Sequence, residues 1–456
     1  MKIVIIGAGK IGATLAEQLL VEGHEITVID HRSAALENLS SADVLCIEGN
    51  GISVETQLEA GMNEADLAIA VLATDEQNLL ACLIAKKLGV GSTIARVRNP
   101  EYAEGIRLLK EDLSLNMTFN PEFACASEMA RVLRAPSAIK IDSFCRGKVE
   151  LHKVRLPDGS PLDGMKLMEL GKLHTGILIC AVERGENEVF IPDGSFVLKA
   201  QDRISFIAKP KTAAKFFQKL GIQTDRAKQV MLLGGGKISY YLAKQMLDLG
   251  ANVKIIETNP DVCQSLAEML PEATVLNGDG TDEKLLAEEG LKDMDAIASL
   301  TGIDEENVLM SLYARSMTKA KIITKINRTT FSHIIDSMDL GSVFHPRYIA
   351  ANLVVRFVRA LANSQGSNVE TLYKIVGGKA EALEFRATAG SAVCGVPLMN
   401  LPTLPNLLIG AISRGGKILT PGGRDVIEPG DSVIVVTTVT GLNDLDDIID
   451  KRRTKP

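Results

Sequence analysis

The chain repeats a long internal unit, and this repeat constrains its fold more than any other feature. Near the N-terminus Gly7, Gly9 and Asp30 form a pattern that recurs 227 residues later as Gly234, Gly236 and Glu257. Three longer matches follow, at offsets that short insertions increase to 229, 229 and 231: "EGNGIS" at 48 with "NGDGTD" at 277, "TDEQN" at 74 with "IDEEN" at 303, and "GKVELHKVRLPDGSPLDGMKLMEL" at 147 with "GKAEALEFRATAGSAVCGVPLMNL" at 378. The unit contains two modules, so the sequence predicts an A-B-A-B arrangement.

Module A alternates apolar strand-like runs with amphipathic helical runs. In the first copy the runs "KIVIIG", "EITVID", "DVLCIEG", "LAIAVLAT" and "TIARVRN" are the predicted strands. Alternation of this kind predicts an α/β fold with a doubly wound, Rossmann-like parallel sheet. Module B contains shorter strand runs broken by Gly, Pro and Asp, which predicts a small α+β domain.

A helical segment follows each module A and leads to a linker. The sequence predicts a nucleotide-binding domain at 1–123, a crossover helix with linker at 124–143 and a C-terminal domain at 144–226. The second copy repeats these three parts at 227–346, 347–367 and 368–453. The stretches Phe123–Leu133 and Tyr348–Leu361 carry apolar stripes. We expect that one chain does not cover these stripes, which predicts a homo-oligomer.

Composition excludes several classes of function. The 456 residues carry a net charge of -7, which argues against a general nucleic-acid binder because such proteins need a basic field. No apolar run approaches the roughly 18 residues of a membrane-spanning helix. Met1 leads directly into strand residues, so we expect no signal peptide.

Metal binding and disulfide formation are not expected. The seven cysteines form no CxxC pair, and the six histidines show no HxxxH or HExxH spacing. Buried cysteines in a reducing compartment are the simpler interpretation. We therefore predict no metal site.

The first glycine segment predicts a phosphate-binding turn. It consists of Gly7, Ala8, Gly9, Lys10, Ile11 and Gly12, directly after a predicted strand. The first glycine permits a tight turn, the second lets the backbone approach a pyrophosphate, and the third lets the helix pack on the sheet. Asp30 ends the second strand, where it can accept hydrogen bonds from both ribose hydroxyls. This pattern favours NAD(H) over NADP(H), although Arg32 lies close behind.

The second glycine segment departs from this pattern at one position. It consists of Gly234, Gly235, Gly236, Lys237 and Ile238, followed by Ser239 at the position of the third glycine. Glu257 replaces the aspartate and can still reach ribose hydroxyls. We expect a nucleotide site here too, with the alternative that this copy serves only as a packing partner.

Other candidate ligand contacts lie at the carboxyl ends of the predicted strands, because ligands in such sheets bind outside those ends. In the first copy they are Asn50, Gly51, Ala73, Thr74 and an arginine, Arg96 or Arg98. In the second copy the mates of the first two are Asp279 and Gly280. The arginine could bind a phosphate or pair with an acidic helix, and the sequence favours neither interpretation.

No catalytic residues are predicted. His152 and His174 do not recur in the second copy, and Asp202 and Asp431, which do recur, precede strands as turn residues often do. A dehydrogenase needs an acid or base beside the nicotinamide and a substrate pocket. Two nucleotide turns without such a constellation indicate a sensor.

The residues also carry a family resemblance. The A-B unit resembles an RCK module (regulator of K⁺ conductance), and the tandem chain resembles the regulatory subunits of Trk-type potassium uptake systems. The stretches that carry the resemblance are "KIVIIGAGKIGATLAEQLL", "VIDHR", "EGNGIS", "VLATDEQN", "ARVRNPEY", "NPEFACASEMA" and "GDSVIVVT".

The resemblance implies a cytoplasmic protein that lies peripherally on the inner face of the cell membrane. It implies a homotetrameric ring beneath an integral-membrane potassium transport subunit. NAD(H), and in this family also ATP or ADP, would bias the ring between conformations. Two alternatives remain: an NAD-dependent oxidoreductase, and a structural adaptor whose glycine turns bind nothing.

Overall fold

The computed structural model describes most of the chain. The described residues are 1–39, 43–100, 102, 105, 115–134, 140–172, 176–185, 188–219, 226–328, 335, 338, 340–363, 369–375 and 379–450. Within these ranges, none of the helices combines the length and apolar character that crossing a bilayer requires.

The first module A is a six-stranded parallel sheet in the order β3-β2-β1-β4-β5-β6. Its strands are Lys2–Ile6, Glu25–Asp30, Leu45–Glu48, Leu67–Ala70, Ser92–Arg96 and Met117–Phe119. Its helices are Lys10–Val21, Ser33–Glu37, Val54–Glu59 and Asp75–Leu88. The predicted doubly wound fold is confirmed, and the three-residue sixth strand is an addition that the sequence pattern did not reveal.

The first module B is a five-stranded antiparallel sheet in the order β10-β9-β11-β8-β7. Its strands are Lys140–Phe144, Val149–Arg155, Leu178–Arg184, Glu188–Phe190 and Arg203–Ala208, with helices Leu167–Lys172 and Pro210–Lys219. The helix Pro121–Arg134, here called the first crossover helix, connects the two modules.

The second half repeats this architecture. Its parallel sheet has the order β14-β13-β12-β15-β16-β17 and the strands Gln229–Leu233, Asn252–Glu257, Thr274–Asn277, Ala296–Ser299, Lys321–Lys325 and Ser342–Phe344. The helices are Lys237–Asp248, Pro260–Met269, Glu283–Glu288 and Asp304–Met317, followed by the second crossover helix, Pro346–Asn363. The antiparallel sheet has the order β18-β19-β22-β20-β21 and the strands Val369–Ile375, Ala380–Arg386, Leu407–Arg414, Lys417–Leu419 and Ser432–Thr437.

The two crossover helices are exchanged between the halves. Cys125 and Met129 of the first crossover helix are fully buried in one core with Leu232 of the second parallel sheet. Ala351 and Val354 of the second crossover helix are fully buried in the core of the first parallel sheet. Each half therefore completes the hydrophobic core of the other.

This exchange corrects the expectation that one chain leaves the crossover stripes uncovered. The apolar positions within Phe123–Leu133 and Tyr348–Leu361 find partners inside the same chain, because the duplicated half supplies the second surface. Phe123 itself stays about half exposed. The stripes consequently give no argument for a homo-oligomer.

The exchanged helices pack against the helices that follow the glycine turns. At one end of the first such pair, the guanidinium of Arg359 donates to the carboxylate of Glu22, just after the helix Lys10–Val21. In the second pair, Phe123 contacts Tyr241 edge-on with a ring-centroid distance of 5.5 Å, close to both N-termini. The start of the first crossover helix therefore lies beside the helix that follows the second glycine turn.

The two module B sheets also share a core. Phe144, Leu151 and Ile207 of the first antiparallel sheet are buried with Ala382 and Val436 of the second. Phe144 contacts Tyr373 edge-on with a ring-centroid distance of 4.9 Å. The halves are thus joined at two levels, through the crossover helices and through the antiparallel sheets.

We expect a fragment that ends at residue 226 to dimerise, because its crossover helix would otherwise expose Cys125, Ala126, Met129 and Leu133. Two copies can exchange these helices as the two halves do in the full chain. Sedimentation at micromolar concentration should give twice the mass of the fragment. Met129→Asp, which places a charge in the exchanged surface, is the matched variant and should be monomeric or unfolded. A stable, monomeric parent fragment would contradict the prediction.

Candidate nucleotide-binding sites

The first glycine turn uses its three glycines for different purposes. Gly7 has a φ of +113°, and a Cβ there would lie 2.9 Å from the carbonyl oxygen of Val71. A Cβ at Gly12 would lie 1.8 Å from the carbonyl oxygen of Gly7. A Cβ at Gly9 would meet no atom within 4 Å. The fold itself requires Gly7 and Gly12, whereas Gly9 faces open space.

The second glycine turn has the same shape with one substitution. Gly234 has a φ of +103°, and a Cβ at Gly236 would again meet no atom within 4 Å. Ser239 replaces the third glycine and is fully buried. Its hydroxyl donates a 2.5 Å hydrogen bond to the carbonyl oxygen of Gly234. The serine therefore ties the turn to the helix at the position where glycine allows close packing in the first half.

Both helices begin without a side-chain cap. Gly9 and Gly236 are the N-cap residues, and neither can offer a side-chain acceptor to the first backbone N–H groups. Lys10 and Lys237 follow and are exposed, while Ile11 and Ile238 turn toward the apolar cores. Uncapped N–H groups at a helix start attract anions, and a phosphate fits this position.

Asp30 lies at the end of β2 and holds the glycine turn. Its carboxylate accepts a 2.7 Å hydrogen bond from the backbone N–H of Ala8 and a 2.9 Å bond from that of Arg32. The Arg32 side chain also donates to it at 3.2 Å. Burial alone would raise the pKa of Asp30, but the hydrogen bonds from Arg32 and Ala8 outweigh it and lower the pKa below its ordinary value. Asp30 is thus ionised at neutral pH, and ribose hydroxyls could donate to it at the positions that the Arg32 side chain occupies.

Glu257 repeats this arrangement in the second half. Its carboxylate accepts a 2.6 Å hydrogen bond from the N–H of Gly235 and a 2.8 Å bond from that of Asn259. Burial opposes the charge, yet these hydrogen bonds lower the pKa of Glu257. A Cβ at Gly235, where the first half has Ala8, would lie 2.9 Å from Cγ of Glu257. The longer acidic side chain therefore fits because a glycine faces it.

The residues after the third strand of each sheet shape the crevice mainly through local contacts. The Asn50 side chain accepts from the N–H of Ile52 at 3.2 Å, and the Asp279 side chain accepts from that of Thr281 at 2.8 Å. A Cβ at Gly51 would lie 2.2 Å from the Ile6 side chain, whereas one at Gly280 would make only ordinary contacts. Gly51 is therefore required for packing against β1.

Ala73, Thr74 and Arg98 form one rim of the first crevice. The Arg98 guanidinium donates to the carbonyl oxygen of Ala73 at 3.1 Å and lies 3.7 Å from the carboxylate of Glu122. Thr74 caps the following helix by accepting from the N–H of Gln77 at 3.3 Å. Arg98 thus contacts an acidic residue of the crossover helix. Of the two interpretations that the sequence left open, phosphate binding or pairing with an acidic helix, this contact is the pairing.

Two polar residues that the sequence analysis did not single out fix this rim. The carboxylate of Asp75 accepts from the backbone N–H groups of Arg98 and Asn99 at 2.9 and 2.8 Å. Asn78 is fully buried and bridges the N–H of Leu72 to the carbonyl oxygen of Arg96. They lock the end of the fourth strand to the end of the fifth.

The second half repeats both locks. Asp304 accepts from the backbone N–H groups of Asn327 and Arg328 at 2.9 and 2.8 Å. Asn307 bridges the N–H of Thr301 to the carbonyl oxygen of Lys325. The sequence could have indicated these residues, because the matched stretches "TDEQN" and "IDEEN" keep the aspartate and the asparagine at the same positions.

The histidines and aspartates of module B that the sequence analysis considered for catalysis have structural partners where the structure describes them. His152 is buried, stacks on Phe206 and lies 2.9 Å from the carboxylate of Glu150. Asp202 and Asp431 each bind an arginine of a neighbouring strand, Arg184 and Arg414, through two guanidinium nitrogens. His174 lies outside the described residues. No group of three or more His, Cys, Asp or Glu residues within the described ranges could hold a metal ion.

The glycine geometry predicts that Gly12→Ala destabilises the fold, whereas Gly9→Ala does not. An added Cβ at position 12 overlaps the Gly7 carbonyl oxygen, so the helix must move away from the turn. We expect a loss of a few kcal/mol, in the range of other overpacked sites (about 1–3 kcal/mol). Thermal unfolding measures the effect, with Gly9→Ala as the matched control. Equal unfolding temperatures for the two variants would contradict the assignment.

Two family models match the chain, each in both halves. The TrkA-N domain matches residues 3–120 and 230–346, and the TrkA-C domain matches residues 151–221 and 382–450. Among similar proteins, a Trk system potassium uptake protein TrkA homolog 1 of Methanosarcina mazei is 32% identical over 98% of this chain and 99% of its own length. The Trk system potassium uptake protein TrkA of Haemophilus influenzae is 31% identical over 95% of each chain.

Solved structures share the fold at low sequence identity. The GsuK RCK domain has a TM-score of 0.62 at 18% identity, covering 95% of this chain and 92% of its own. The GsuK channel bound to NAD has a TM-score of 0.62 at 19% identity, covering 96% of this chain and 76% of its own. The relatives and both family models extend over the two halves alike, and the chain therefore belongs to the TrkA family, as a tandem of TrkA-N and TrkA-C domains.

Proposed function

We propose that this protein is a nucleotide-sensing regulatory subunit of a Trk-type potassium uptake system. One observation carries the proposal: two open glycine turns, each clamped by an acidic residue, lie in halves that complete each other's cores. A ligand in either turn contacts a structure that the other half helps to build. Such an arrangement suits a sensor, because a ligand shifts a conformational equilibrium by its differential affinity for the two states.

NAD(H) is the proposed ligand of the first turn, and ATP or ADP are further candidates for both. The open space at Gly9, the uncapped helix start and the ionised Asp30 fit a pyrophosphate and a ribose. A 2′-phosphate would meet the Asp30 carboxylate, although Arg32 lies beside it. The solved GsuK structures bound to NAD and to ADP support a nucleotide in this fold.

The proposed partner is an integral-membrane potassium transport subunit, and the proposed location is the cytoplasmic face of the cell membrane. The names of the relatives support this partner. We also propose a homo-oligomer, a tetramer of tandem chains; a sedimentation mass of one 49.0 kDa chain would contradict it. Nucleic acid is not among the proposed partners, because the net charge is -7. The division of the chain into six parts, from 1–123 to 368–453, belongs to the same proposal.

An NAD-dependent oxidoreductase is the alternative function. It requires a proton donor or acceptor beside the nicotinamide. The module B candidates His152, Asp202 and Asp431 are instead engaged in contacts within their own module. Turnover of NADH with a small-molecule substrate would favour the enzyme, and failure to bind any adenine nucleotide would favour a structural adaptor.

Asp30→Asn should weaken NADH binding to the first turn. The asparagine oxygen can still accept from the N–H of Ala8, so the turn stays clamped, but the charged acceptor for the ribose hydroxyls is lost. Hydrogen bonds to a charged group contribute about 1.5–3 kcal/mol each, so we expect affinity to fall at least tenfold. Calorimetric titration measures it, with Glu257→Gln as the matched change in the other half. Unchanged affinity in Asp30→Asn would place the ribose elsewhere.

Gly9→Val and Gly236→Val should each change the nucleotide response of potassium flux without preventing binding to the membrane subunit. Their side chains would project into open space, so the fold tolerates them while the phosphate position is obstructed. The measurement is potassium flux in liposomes that contain the membrane subunit, with and without NADH, ADP or ATP. We expect Gly9→Val to have the larger effect on the response to NADH.

Gly390→Val is the control for this experiment, because Gly390 also faces open space but lies in module B of the second half. It should respond to nucleotides as the unmodified protein does. Co-purification with the membrane subunit should survive in all three variants. If flux responds normally in both Gly9→Val and Gly236→Val, the glycine turns are not the sensors.

A further inference from the structure

A buried tyrosine of the second half forms hydrogen bonds with the rim of the first crevice. Tyr241 belongs to the helix Lys237–Asp248, one turn after the second glycine turn, and is 8% exposed. Its hydroxyl accepts a 2.9 Å hydrogen bond from the side-chain amide of Asn120. It donates a 3.2 Å bond to the backbone carbonyl oxygen of Arg98. One side chain thus joins the helix of the second glycine turn to the first crevice.

Arg98 connects the Tyr241 hydroxyl to the other residues of the first rim. Its carbonyl oxygen also accepts from the Asn120 amide at 3.2 Å, and its backbone N–H donates to Asp75 at 2.9 Å. Its guanidinium reaches the carbonyl oxygen of Ala73, at the end of the neighbouring strand. A displacement of Tyr241 therefore moves a residue that is fixed to the rim where a ligand would lie.

The helix of the first glycine turn differs at the equivalent position. Thr14 occupies the position of Tyr241, and its hydroxyl donates to the carbonyl oxygen of Lys10 in its own helix, at 2.9 Å. His345 occupies the position of Asn120, and its Nδ1 lies 3.0 Å from the carbonyl oxygen of Ile326, within the second half. The tyrosine hydroxyl contact is therefore made by the second half at a position where the first half has Thr14.

The environment of Tyr241 keeps its hydroxyl in the form that this contact needs. Burial is the largest effect and raises the pKa of Tyr241, although the hydrogen bond from Asn120 acts in the opposite direction. The hydroxyl stays protonated at physiological pH, so it remains a donor to Arg98. The edge-on contact with Phe123 holds the ring in place independently of the hydroxyl.

We propose that Tyr241 is a positioning residue that couples the two nucleotide sites, by linking the helix of the second glycine turn to the Arg98 rim of the first crevice. This inference rests on the proposed function, because it needs a nucleotide at each turn. A phosphate at the start of the helix Lys237–Asp248 acts on the first turn of that helix, and Tyr241 transmits the change to Arg98. The coupling is reciprocal for equilibrium binding, so a ligand at the first site changes affinity at the second by the same factor.

The test uses the full chain with the first turn blocked by Gly9→Val, so that nucleotide binds only at the second. Calorimetry with ADP, with ATP and with NADH identifies the ligand that binds there. Hydrogen–deuterium exchange, with and without that ligand, then monitors the segment 94–100, which contains the Arg98 rim. We expect ligand at the second turn to slow exchange in this segment. Tyr241→Phe should abolish the slowing while ligand affinity and the unfolding temperature stay close to those of the parent.

Tyr240→Phe is the matched control, because it removes a neighbouring hydroxyl and keeps the aromatic pair of Tyr240 and Tyr241. It should leave the ligand-dependent slowing intact. Slowing that persists in Tyr241→Phe, or ligand binding without any slowing in the parent, would overturn the inference and leave the proposed function standing. If none of ADP, ATP and NADH binds at the second turn, the proposed function fails for that turn, and the coupling fails with it.

Discussion

The exchange of the crossover helices is the constraint on which the rest of the structure depends. Burying an apolar side chain such as Met129 or Leu133 contributes about 1.5–3 kcal/mol, and each crossover helix buries several. Neither half has this surface to itself, so the two halves must fold against each other. The consequence is geometric: the helix that follows each glycine turn packs against a crossover helix of the other half.

The acidic residues of the two turns serve the fold as well as the proposed ligand. Asp30 and Glu257 each accept a backbone N–H from the glycine turn, which fixes the loop to the end of the second strand. Both have folded-state pKa values below their ordinary values of 3.8 and 4.5. Their contribution to stability is therefore complete above the unfolded-state pKa and is lost only as the pH falls through the lower, folded-state pKa. The turns stay clamped across the neutral pH range.

The sequence alone predicted the parts of the structure that local patterns encode. Strand length, glycine spacing and the acid at the end of the second strand are set by neighbours in the chain, so the doubly wound sheets were predictable. The partner of an amphipathic helix is not encoded locally. The pattern within Phe123–Leu133 indicated an apolar face that another surface must cover. We expected a second copy of the chain to cover this face, but the duplicated half of the same chain does so. Tyr241 was missed for the same reason, because its contacts are with Asn120 and Arg98, more than a hundred positions away.

The departures from perfect repetition give the two glycine turns different contacts. Ser239 keeps the second turn closed by a hydrogen bond where the first half relies on a glycine. At Tyr241 the second half extends a polar contact into the first, whereas Thr14 bonds within its own helix. Two identical sites related by symmetry would have the same ligand preference. These substitutions change the contacts around each glycine turn and leave the shared core intact, so the two proposed sites can differ in the ligands they bind.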